Sequence, residues 1–506
     1  MKTGMRALYQ NVRSLRSTEK TAAVRRANAA VAAQAEQAAQ QRVAEPLGPG
    51  ESAVAKPPYR KGRRAADDYW GADNIFVDHP VLKPGDPCPC GCGGRVYAKK
   101  KPKVDFRFRG GIPIRLKIYR RRKLRCNLCG KTYKPKLPKK AGKRRYSASA
   151  TAIATYLRYG QGMPLNRLSS LQGHLGIPIA IATQFALALE GAIKLLPIYV
   201  ESLSQATQAQ QLGTDDTKGR VLKYNRPEEL ADRTGVHTTC TVVQKTQEGH
   251  QLAIFCTGPQ HAGENLDDLL ENRYQHLDPV LVMCDVLSRN SPKRRLSEGV
   301  KILMANCLAH GRRKFVDIAA SFPIECLHVL EELGTVYLHD KQAKDLKLDP
   351  EARLVYHQIH SQPIMDSLKQ WMEQLLTENR IEENSRLGQA FSYMLNRWDK
   401  LTLFLRQPGA LLDNNGVERA LKLAVRHRKN SLFYQTERGA LVGDIYMSLI
   451  QTCQLNGVNP IEYLTICLQN ARRLDASPGD WMPWSFKATL QRLRAGPNQS
   501  ELRVAA

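Results

Sequence analysis

Long apolar runs are missing from this 506-residue sequence, and over one stretch acidic residues are almost missing as well. No apolar run approaches the ~18 residues that a membrane span needs. Residues 1–20 also lack the apolar core of a signal peptide. These absences exclude membrane-spanning and secreted classes and predict a cytoplasmic protein with no membrane partner. In that compartment the 12 cysteines are expected to be thiols or metal ligands rather than disulfides.

The stretch that lacks acids is strongly basic. From Arg95 to Arg145 there are 22 Lys or Arg and one acid, Asp105, so this stretch carries +21 of the chain's net charge of +29. Such a block indicates a polyanionic partner, most simply DNA. An anionic membrane surface is the alternative, but no amphipathic basic helix accompanies the block. The residues predicted to contact phosphates are Arg120, Arg121, Arg122 and Lys123.

Five cysteines lie in or just before the basic block. Cys126 and Cys129 form a CxxC followed by glycine, and "CPCGC" lies upstream with β-rich sequence between. Two thiolate pairs around a tetrahedral ion predict a zinc ribbon holding one structural Zn²⁺; the alternative is reduced, unligated cysteines. The upstream group has three thiolates for two places. We favour Cys88 and Cys92, with Cys90 as the alternative.

The residue composition and the hydrophobic pattern change several times along the chain, which predicts a multidomain protein of mixed α+β and α/β class. Two helices that meet at Gly176 resemble a helix-turn-helix, with Thr183 and Gln184 as its candidate base-reading residues, although a plain packing helix fits equally well. The predicted parts are an N-terminal arm with a helix and basic linker (1–84), a zinc-ribbon-like DNA-binding module (85–145), a helix-turn-helix-like segment (146–207), a catalytic α/β domain (208–440) with a helical insertion (about 325–405), and a helical C-terminal segment (441–506).

Three acids stand out in the second half of the chain. Asp215 lies at the end of a predicted strand, and Asp285 follows the buried strand "PVLVMC". Glu418 sits on the edge of the apolar stripe of an otherwise basic helix. Close carboxylates repel one another unless a cation lies between them, so the three could form a Mg²⁺ cage; turn and cap acids are the alternative. Asn415 and Glu418 in particular resemble a capping box.

Basic residues accompany these acids. The stretch "CLAHGRRKF" opens a helix after a predicted strand, and its cations could position phosphates, or simply form a solvated face. A metal pair of Cys307 and His310 is a weaker alternative, because no second pair lies nearby in the sequence. The predicted DNA-contacting residues of this region are His310, Arg312, Arg313 and Lys314, with Arg419 and Arg426 on the Glu418 helix.

Four of these motifs resemble the insertion sequence sixty-six family of bacterial transposases. "NNGVERALKLAVRHRKNSLF" (414–433) and "SLIQTCQLNGVNPIEYL" (448–464) are similar to its C-terminal signature. "DDTKGRVL", from Asp215, is similar to its Asp-Glu-Thr strand motif, and "CLAHGRRKF" to its His-Ala-Arg-Arg-Lys stretch. The sequence departs from the family at Asp216, where the family has Glu, at "DVLSRN" after Asp285, and at an extra residue between the first cysteines.

The resemblance implies a ribonuclease-H-like catalytic fold with an Asp-Asp-Glu triad, which maps onto Asp215, Asp285 and Glu418. It implies a transposase that binds the terminal inverted repeats of its element, then cleaves and transfers DNA strands with two Mg²⁺ (or Mn²⁺) ions. Assembly as a homo-oligomer on DNA and accessory proteins of the same element are further expectations. The rival hypothesis is a catalytically inactive, zinc-containing DNA-binding regulator.

Overall fold

The computed structural model describes residues 65–69, 72–110, 114–225, 235–246, 248–285, 288–292 and 300–495. The N-terminal helix that the sequence predicts at about 17–43 lies outside the described residues. Within them the protein is a mixture of helices and sheets, as the sequence predicts.

The basic block folds into two small sheets. β1 (Asp73–Val77), β3 (Lys103–Arg109) and β4 (Arg115–Arg121) form one, in the order β1-β4-β3, while β2 (Val96–Ala98), β5 (Leu124–Cys126) and β6 (Thr132–Tyr133) form the other. The second sheet has a minimal core. Its fully buried residues are Cys88, Val96, Leu124 and Cys126. So few apolar side chains cannot stabilise an independent module without a cross-link or a metal.

A five-stranded sheet forms the centre of the protein. Its strands are β7 (Gln211–Gly219), β8 (Val236–Lys245), β9 (Leu252–Gly258), β10 (Val280–Cys284) and β11 (Ile302–Asn306). Their order is β11-β10-β7-β8-β9. β10 pairs in parallel with β7 and β11, whereas β7, β8 and β9 pair antiparallel. β10 is buried along its whole length, as its continuous apolar sequence predicts.

Helices cover the sheet and extend the chain beyond it. In chain order they are α1 (Ala148–Thr155), α2 (Leu165–His174), α3 (Ile181–Thr207), α4 (Ala262–Leu270), α5 (Leu308–Ile318), α6 (Pro323–Asp345), α7 (Pro350–His360), α8 (Gln362–Thr377), α9 (Arg386–Leu395), α10 (Trp398–Leu401), α11 (Asn415–Ser431), α12 (Glu437–Leu455), α13 (Pro460–Gln469), α14 (Ala471–Leu474) and α15 (Phe486–Ala495). Helices α5, α6, α8, α9 and α10 share a separate apolar core, whereas α3, α11, α12 and α13 contribute to the core that the sheet forms.

Helix α3 bears on two sequence expectations. By length and composition it is the one helix of the described residues that could cross a membrane, but it carries Glu190 and Lys194 and is not a continuous apolar run. One of its faces nevertheless lies in the central core, where Leu195 and Tyr199 are buried. Gln184, a candidate base-reading residue, is also buried, and its side chain donates to the carbonyl of Ile179. Gln184 therefore stabilises the N-terminal turn of α3 and is not available to contact a base.

Helix α12 joins the C-terminal segment to the central sheet. The domain boundary predicted at 440 falls inside this helix. Ser448 accepts a hydrogen bond from the amide of Phe255 in β9, and Asp444 accepts two from Thr257, from its amide at 2.8 Å and its hydroxyl at 2.7 Å. The sheet edge at β9 is therefore covered by side chains of α12, which satisfy amides that would otherwise be unpaired.

Asp444 provides a test of this packing. Burial raises the pKa of Asp444 to about 7, and the hydrogen bonds from Thr257 only partly oppose the rise. Because an unfolded Asp has a pKa near ~3.9, stability is fully present below that pH and is lost as the pH rises through about 7. We expect Asp444→Asn, which keeps both contacts without the charge, to melt a few degrees higher than wild type at pH 8 and to lose most of this advantage at pH 5. Thermal melts at both pH values measure this, with the exposed acid Asp366→Asn as control; equal pH dependence in wild type and Asp444→Asn would contradict it.

Candidate active site

Two of the three predicted acids lie side by side on the central sheet. Asp215 is in the middle of β7, where it pairs with Cys240, rather than at the strand end that the sequence predicts. β10 runs parallel to β7 with Leu281 opposite Gln211 and Met283 opposite Gly213. Continuing that register places Asp285, directly after β10, beside Asp215. Adjacent strands are about 4.8 Å apart, so the parallel register itself brings the two carboxylates together.

Asn290 connects the two acids and was missed from the sequence. Its amide donates to Asp285 Oδ1 at 2.6 Å and lies 3.5 Å from Asp215 Oδ1. The residue is fully buried in a short 3-10 turn, Ser288–Asn290. A single Asn five residues after an Asp is no signal in a sequence. Its position becomes informative only when the fold places it between two carboxylates.

The surroundings of Asp215 shift its pKa upward. Burial raises the pKa of Asp215 to about 7; the amide of Asp216, which donates to its Oδ1, opposes the rise, and the charges of Asp285 and Glu418 add to it. The third predicted acid is therefore close enough to act electrostatically on the first. A cation between them would relieve this repulsion and restore the ionised form of Asp215.

Helix α11 brings Glu418 to the sheet. The side-chain amide of Asn414, its N-cap, donates from Nδ2 to the carbonyl of Thr214 in β7 at 3.0 Å. Gly213 permits this approach, because a Cβ there would lie 2.6 Å from Val417 and 2.8 Å from Asn414. Asn414 is another residue that sequence analysis missed, and it fixes the helix end that carries Glu418.

The capping-box alternative for Glu418 is wrong. The helix begins at Asn415 with Asn414 as N-cap, and no side chain caps it. The side chain of Asn415 instead donates to Asp413 at 2.6 Å. Glu418 is one residue too far into the helix for a capping box, and its carboxylate lies 3.7 Å from Nε2 of His310. Its acidity therefore needs an explanation other than helix capping.

Three potential ligand atoms meet at Cys307, His310 and Glu418, within 4.8 Å of one another. Asp215 and Asp285 do not belong to any such three-residue set in the described part of the chain. Burial raises the pKa of the Cys307 thiol to about 11, and its sulfur accepts from the amide of Asn414. The Cys307–His310 metal pair, the weaker alternative from the sequence, thus has a third potential ligand in Glu418.

The predicted phosphate contacts of this region lie on two helices. Arg312, Arg313 and Lys314 are exposed on α5. The two arginines line a groove of about 490 Å³ with Asn415, at the start of the helix that carries Glu418. On α11 itself, Arg419 and Arg426 are exposed, and Arg426 donates to the carbonyl of Gly160.

The basic block uses its predicted contact residues differently. Arg121 is buried: its Nε donates to Asp105 at 2.6 Å and its Nη1 to the carbonyl of Pro135, so it holds β4 in place and is not available to DNA. Arg120 is bound to Asp67 at 2.9 Å. Arg122 pairs with Asp78 but both side chains are more than half exposed, and Lys123 is half-exposed. The phosphate-contact prediction is therefore wrong for Arg121, whereas Arg122 and Lys123 stay candidates.

A second basic groove was not predicted. It lies between the start of α1, α3 and the turn before α14 and has a volume of about 860 Å³. Its cations come from distant parts of the sequence: Lys143, Arg144, Arg145, Lys194, Arg472 and Arg473. Arg472 and Arg473 lie more than 300 residues from the basic block. Their contribution therefore appears only in the folded chain.

The cysteines form the candidate metal centre. The sulfurs of Cys88, Cys92, Cys126 and Cys129 all lie within 4.8 Å of one another, which is the set favoured from the sequence. Four thiolates suit zinc. Cys90 is nearby as well, 3.2 Å from Cys88 and 3.6 Å from Cys129. A hydrogen bond with the Tyr133 hydroxyl lowers the pKa of the Cys88 thiol to about 6, which favours its thiolate.

The sequence of this chain is similar to those of known proteins. A sequence model described as "Transposase IS66 family" matches residues 143–441, which include all three acids. Three proteins of Sinorhizobium fredii (strain NBRC 101917 / NGR234) are similar. Uncharacterized protein y4hP is 26% identical over 449 residues, 82% of this chain and 76% of that protein. Uncharacterized protein y4jD is 31% identical over 199 residues, 38% of each chain. Uncharacterized protein y4qI is 34% identical over 207 residues, 39% of this chain and 37% of that protein.

The protein is thus a DNA-processing enzyme, and DNA is the partner that its family implies. The chain belongs to the transposase IS66 family.

Proposed function

We propose that this protein is the transposase of an insertion sequence, which binds the terminal inverted repeats of its element and performs metal-dependent strand cleavage and strand transfer. The observation that carries the proposal is the placement of Asp285 beside Asp215 by the strand register, with Glu418 brought to the same strand by α11. The sheet supports a ribonuclease-H-like fold, because three antiparallel strands are followed by two parallel ones.

The donor set fits a hard divalent cation. Asp215, Asp285 and Glu418 would hold two Mg²⁺ or Mn²⁺ ions, since carboxylate oxygens suit these ions. Burial raises the pKa of Asp215 and the charges of Asp285 and Glu418 add to the rise, so a bound cation would favour its ionised form. When bound, such ions activate the attacking hydroxyl and stabilise the leaving oxygen of a phosphodiester.

The protein's own residues position the acids and the DNA. Asn290 holds Asp285 against Asp215, and Asn414 holds the start of α11 on β7. His310 lies beside Glu418, where it can donate to that carboxylate or to a phosphate oxygen. Arg312 and Arg313 offer bidentate donors to the backbone of a strand lying in their groove. The chemistry then depends on positioning and charge.

The direct test is strand cleavage of a supercoiled donor plasmid that carries the element's ends, with and without Mg²⁺. Cleavage at the ends by the wild type is expected only with the divalent ion. DNA binding without any cleavage in Mg²⁺ or Mn²⁺ would instead favour the inactive zinc-containing regulator.

The α5 cations give a prediction for DNA binding. Each phosphate contact releases a counterion, so affinity falls with salt in proportion to the number of contacts. Replacing Arg312, Arg313 and Lys314 with Ala should flatten the slope of log affinity against log salt by roughly two to three units if all three touch phosphates. The measurement is a salt titration by fluorescence anisotropy on an end-repeat duplex.

A matched control removes the same charge elsewhere. Lys369, Lys487 and Arg494, on α8 and α15, replaced together with Ala, should leave the slope nearly unchanged. Equal slopes for the α5 variant and the control would mean that the α5 face does not touch DNA.

The setting of the protein follows from the same proposal. All 12 cysteines lie among the described residues and none forms a disulfide, which suits the reducing cytoplasm. Both ends of the element must be brought together for transposition, so we propose a homo-oligomer on DNA. Accessory proteins of the same element would assist it.

A further inference from the structure

A second cluster of potential ligands lies on the central sheet, next to the candidate active site but distinct from it. Asp216, His237 and His261 each offer one atom, and these atoms lie within 4.8 Å of one another. They come from β7, the start of β8 and the N-cap of α4. Because neighbouring residues of a strand point to opposite faces, Asp216 projects away from the side on which Asp215 lies.

The spacing of these atoms suits a metal ion. His261 Nδ1 lies 3.0 Å from Oδ2 of Asp216, and His237 Nδ1 lies 3.9 Å from Oδ1 of the same carboxylate. Ligands of a tetrahedral Zn²⁺ at its usual bond lengths are about 3.3 Å apart. The two observed distances bracket this value, and the two imidazole rings lie 4.0 Å apart between centroids. An ion could bind all three residues with small side-chain movements.

A hydrogen-bonded network explains only part of the arrangement. The contact between His261 and Asp216 is a good hydrogen bond by itself. His237, however, is more than nine-tenths buried, and its Nδ1 has no hydrogen-bond partner among the described residues. That nitrogen faces the Asp216 carboxylate from a distance too long for a hydrogen bond. A buried nitrogen without a hydrogen-bond partner lowers the stability of the folded protein, and a cation bound by both His237 and Asp216 would give this nitrogen a partner.

We propose that Asp216, His237 and His261 form a binding site for a late first-row transition metal ion, with Zn²⁺ as the simplest occupant. Two imidazoles and one carboxylate select such ions over Mg²⁺, which prefers oxygen ligands and waters. The site joins β7, β8 and the start of α4, three elements that contact one another beside Asp215. Its occupation clamps this part of the sheet and so rigidifies the strand that carries Asp215. The clamp is separate from the thiolate centre and from the acids of the proposed active site.

The thiolate centre must be removed for the test. We would take full-length protein in which Cys88, Cys90, Cys92, Cys126 and Cys129 are all replaced with Ser, strip it with a chelator, titrate it with Zn²⁺, and measure bound metal and melting temperature. We expect about one tightly bound equivalent and a rise in melting temperature. Adding His237→Gln, or Asp216→Asn, which keeps a hydrogen bond to His261, should remove both effects. Excess Mg²⁺ should not displace the ion.

Two matched variants identify the site. His276→Gln changes an exposed imidazole, and Asp285→Asn changes the proposed active site; in the same background each should keep the bound equivalent. Circular dichroism should show that each added substitution leaves the secondary structure of the cysteine-variant background unchanged. The proposal is overturned if the cysteine variant binds no zinc, if His237→Gln and Asp216→Asn both retain it, or if Asp285→Asn loses it.

Discussion

Glu418→Gln is expected to abolish Mg²⁺-dependent strand cleavage while folding and DNA binding survive. Gln has the shape of Glu but brings no charge to a cation, and the loss of one stabilising charge at a reacting phosphate costs on the order of a hundredfold or more in rate. Stability should change by no more than about 0.5 kcal/mol, because the carboxylate caps no helix amide. Cleavage of a supercoiled donor plasmid, duplex binding and a thermal melt on the same preparation measure the three properties.

The control is Glu462→Gln, which removes a half-exposed carboxylate on α13. This variant should cleave as the wild type does. Asp215→Asn and Asp285→Asn should each lose as much activity as Glu418→Gln, and double variants should lose little more, because removing any ligand disables the whole unit. Wild-type cleavage by Glu418→Gln would remove this residue from the proposed triad and leave the two aspartates without a third partner.

Local patterns in the sequence predicted the structural surroundings of two of the candidate acids, Asp285 and Glu418. The continuous apolar run of β10 predicted a buried strand with Asp285 at its end, and the structure has this strand. Helical periodicity placed Glu418 at the edge of an apolar stripe, and in α11 Val417, Ala420 and Leu421 are buried while Glu418 is partly exposed. These signals depend on neighbours a few residues apart, which is the distance over which a sequence pattern carries structural information.

Features set by long-range pairing could not be predicted in this way. Asn290 and Asn414 owe their roles to strand register and helix docking, and nothing in their local sequence differs from an ordinary turn. Arg121 looked like part of a solvated basic run, but the antiparallel pairing of β3 and β4 places it against Asp105, the one acid of the block. Sequence analysis also took Asn415 as the N-cap of α11, whereas the N-cap is Asn414. The side chain of Asn415 donates to Asp413 and that of Asn414 to Thr214, and neither contact can be read from the local sequence.

The cysteine centre is expected to hold its part of the protein together. The small sheet around it has four fully buried residues, two of which are the cysteines Cys88 and Cys126. Gly94 packs so closely that a Cβ there would lie 2.7 Å from the sulfur of Cys126, and Gly130 after the CxxC has a φ of +69°. Both glycines allow the backbone to turn tightly around the sulfurs, so the fold of this module depends on what the sulfurs bind.

We therefore expect Cys126→Ser/Cys129→Ser to lose about one equivalent of zinc and to unfold the small sheet around the sulfurs, residues 85–98 and 124–133. Structural zinc contributes roughly 10–16 kcal/mol to the folding of modules this small, far more than their apolar core supplies. Metal analysis should show the loss, limited proteolysis should cut within the module, and affinity for an end-repeat duplex should fall because the basic strands are no longer fixed. Cys90→Ser is the matched control, since Cys90 lies near the sulfurs but outside the four-residue set, and it should retain the zinc. Loss of the metal from Cys90→Ser would assign Cys90 to the site, and an unchanged zinc content in the double variant would show that the module folds without thiolate ligation.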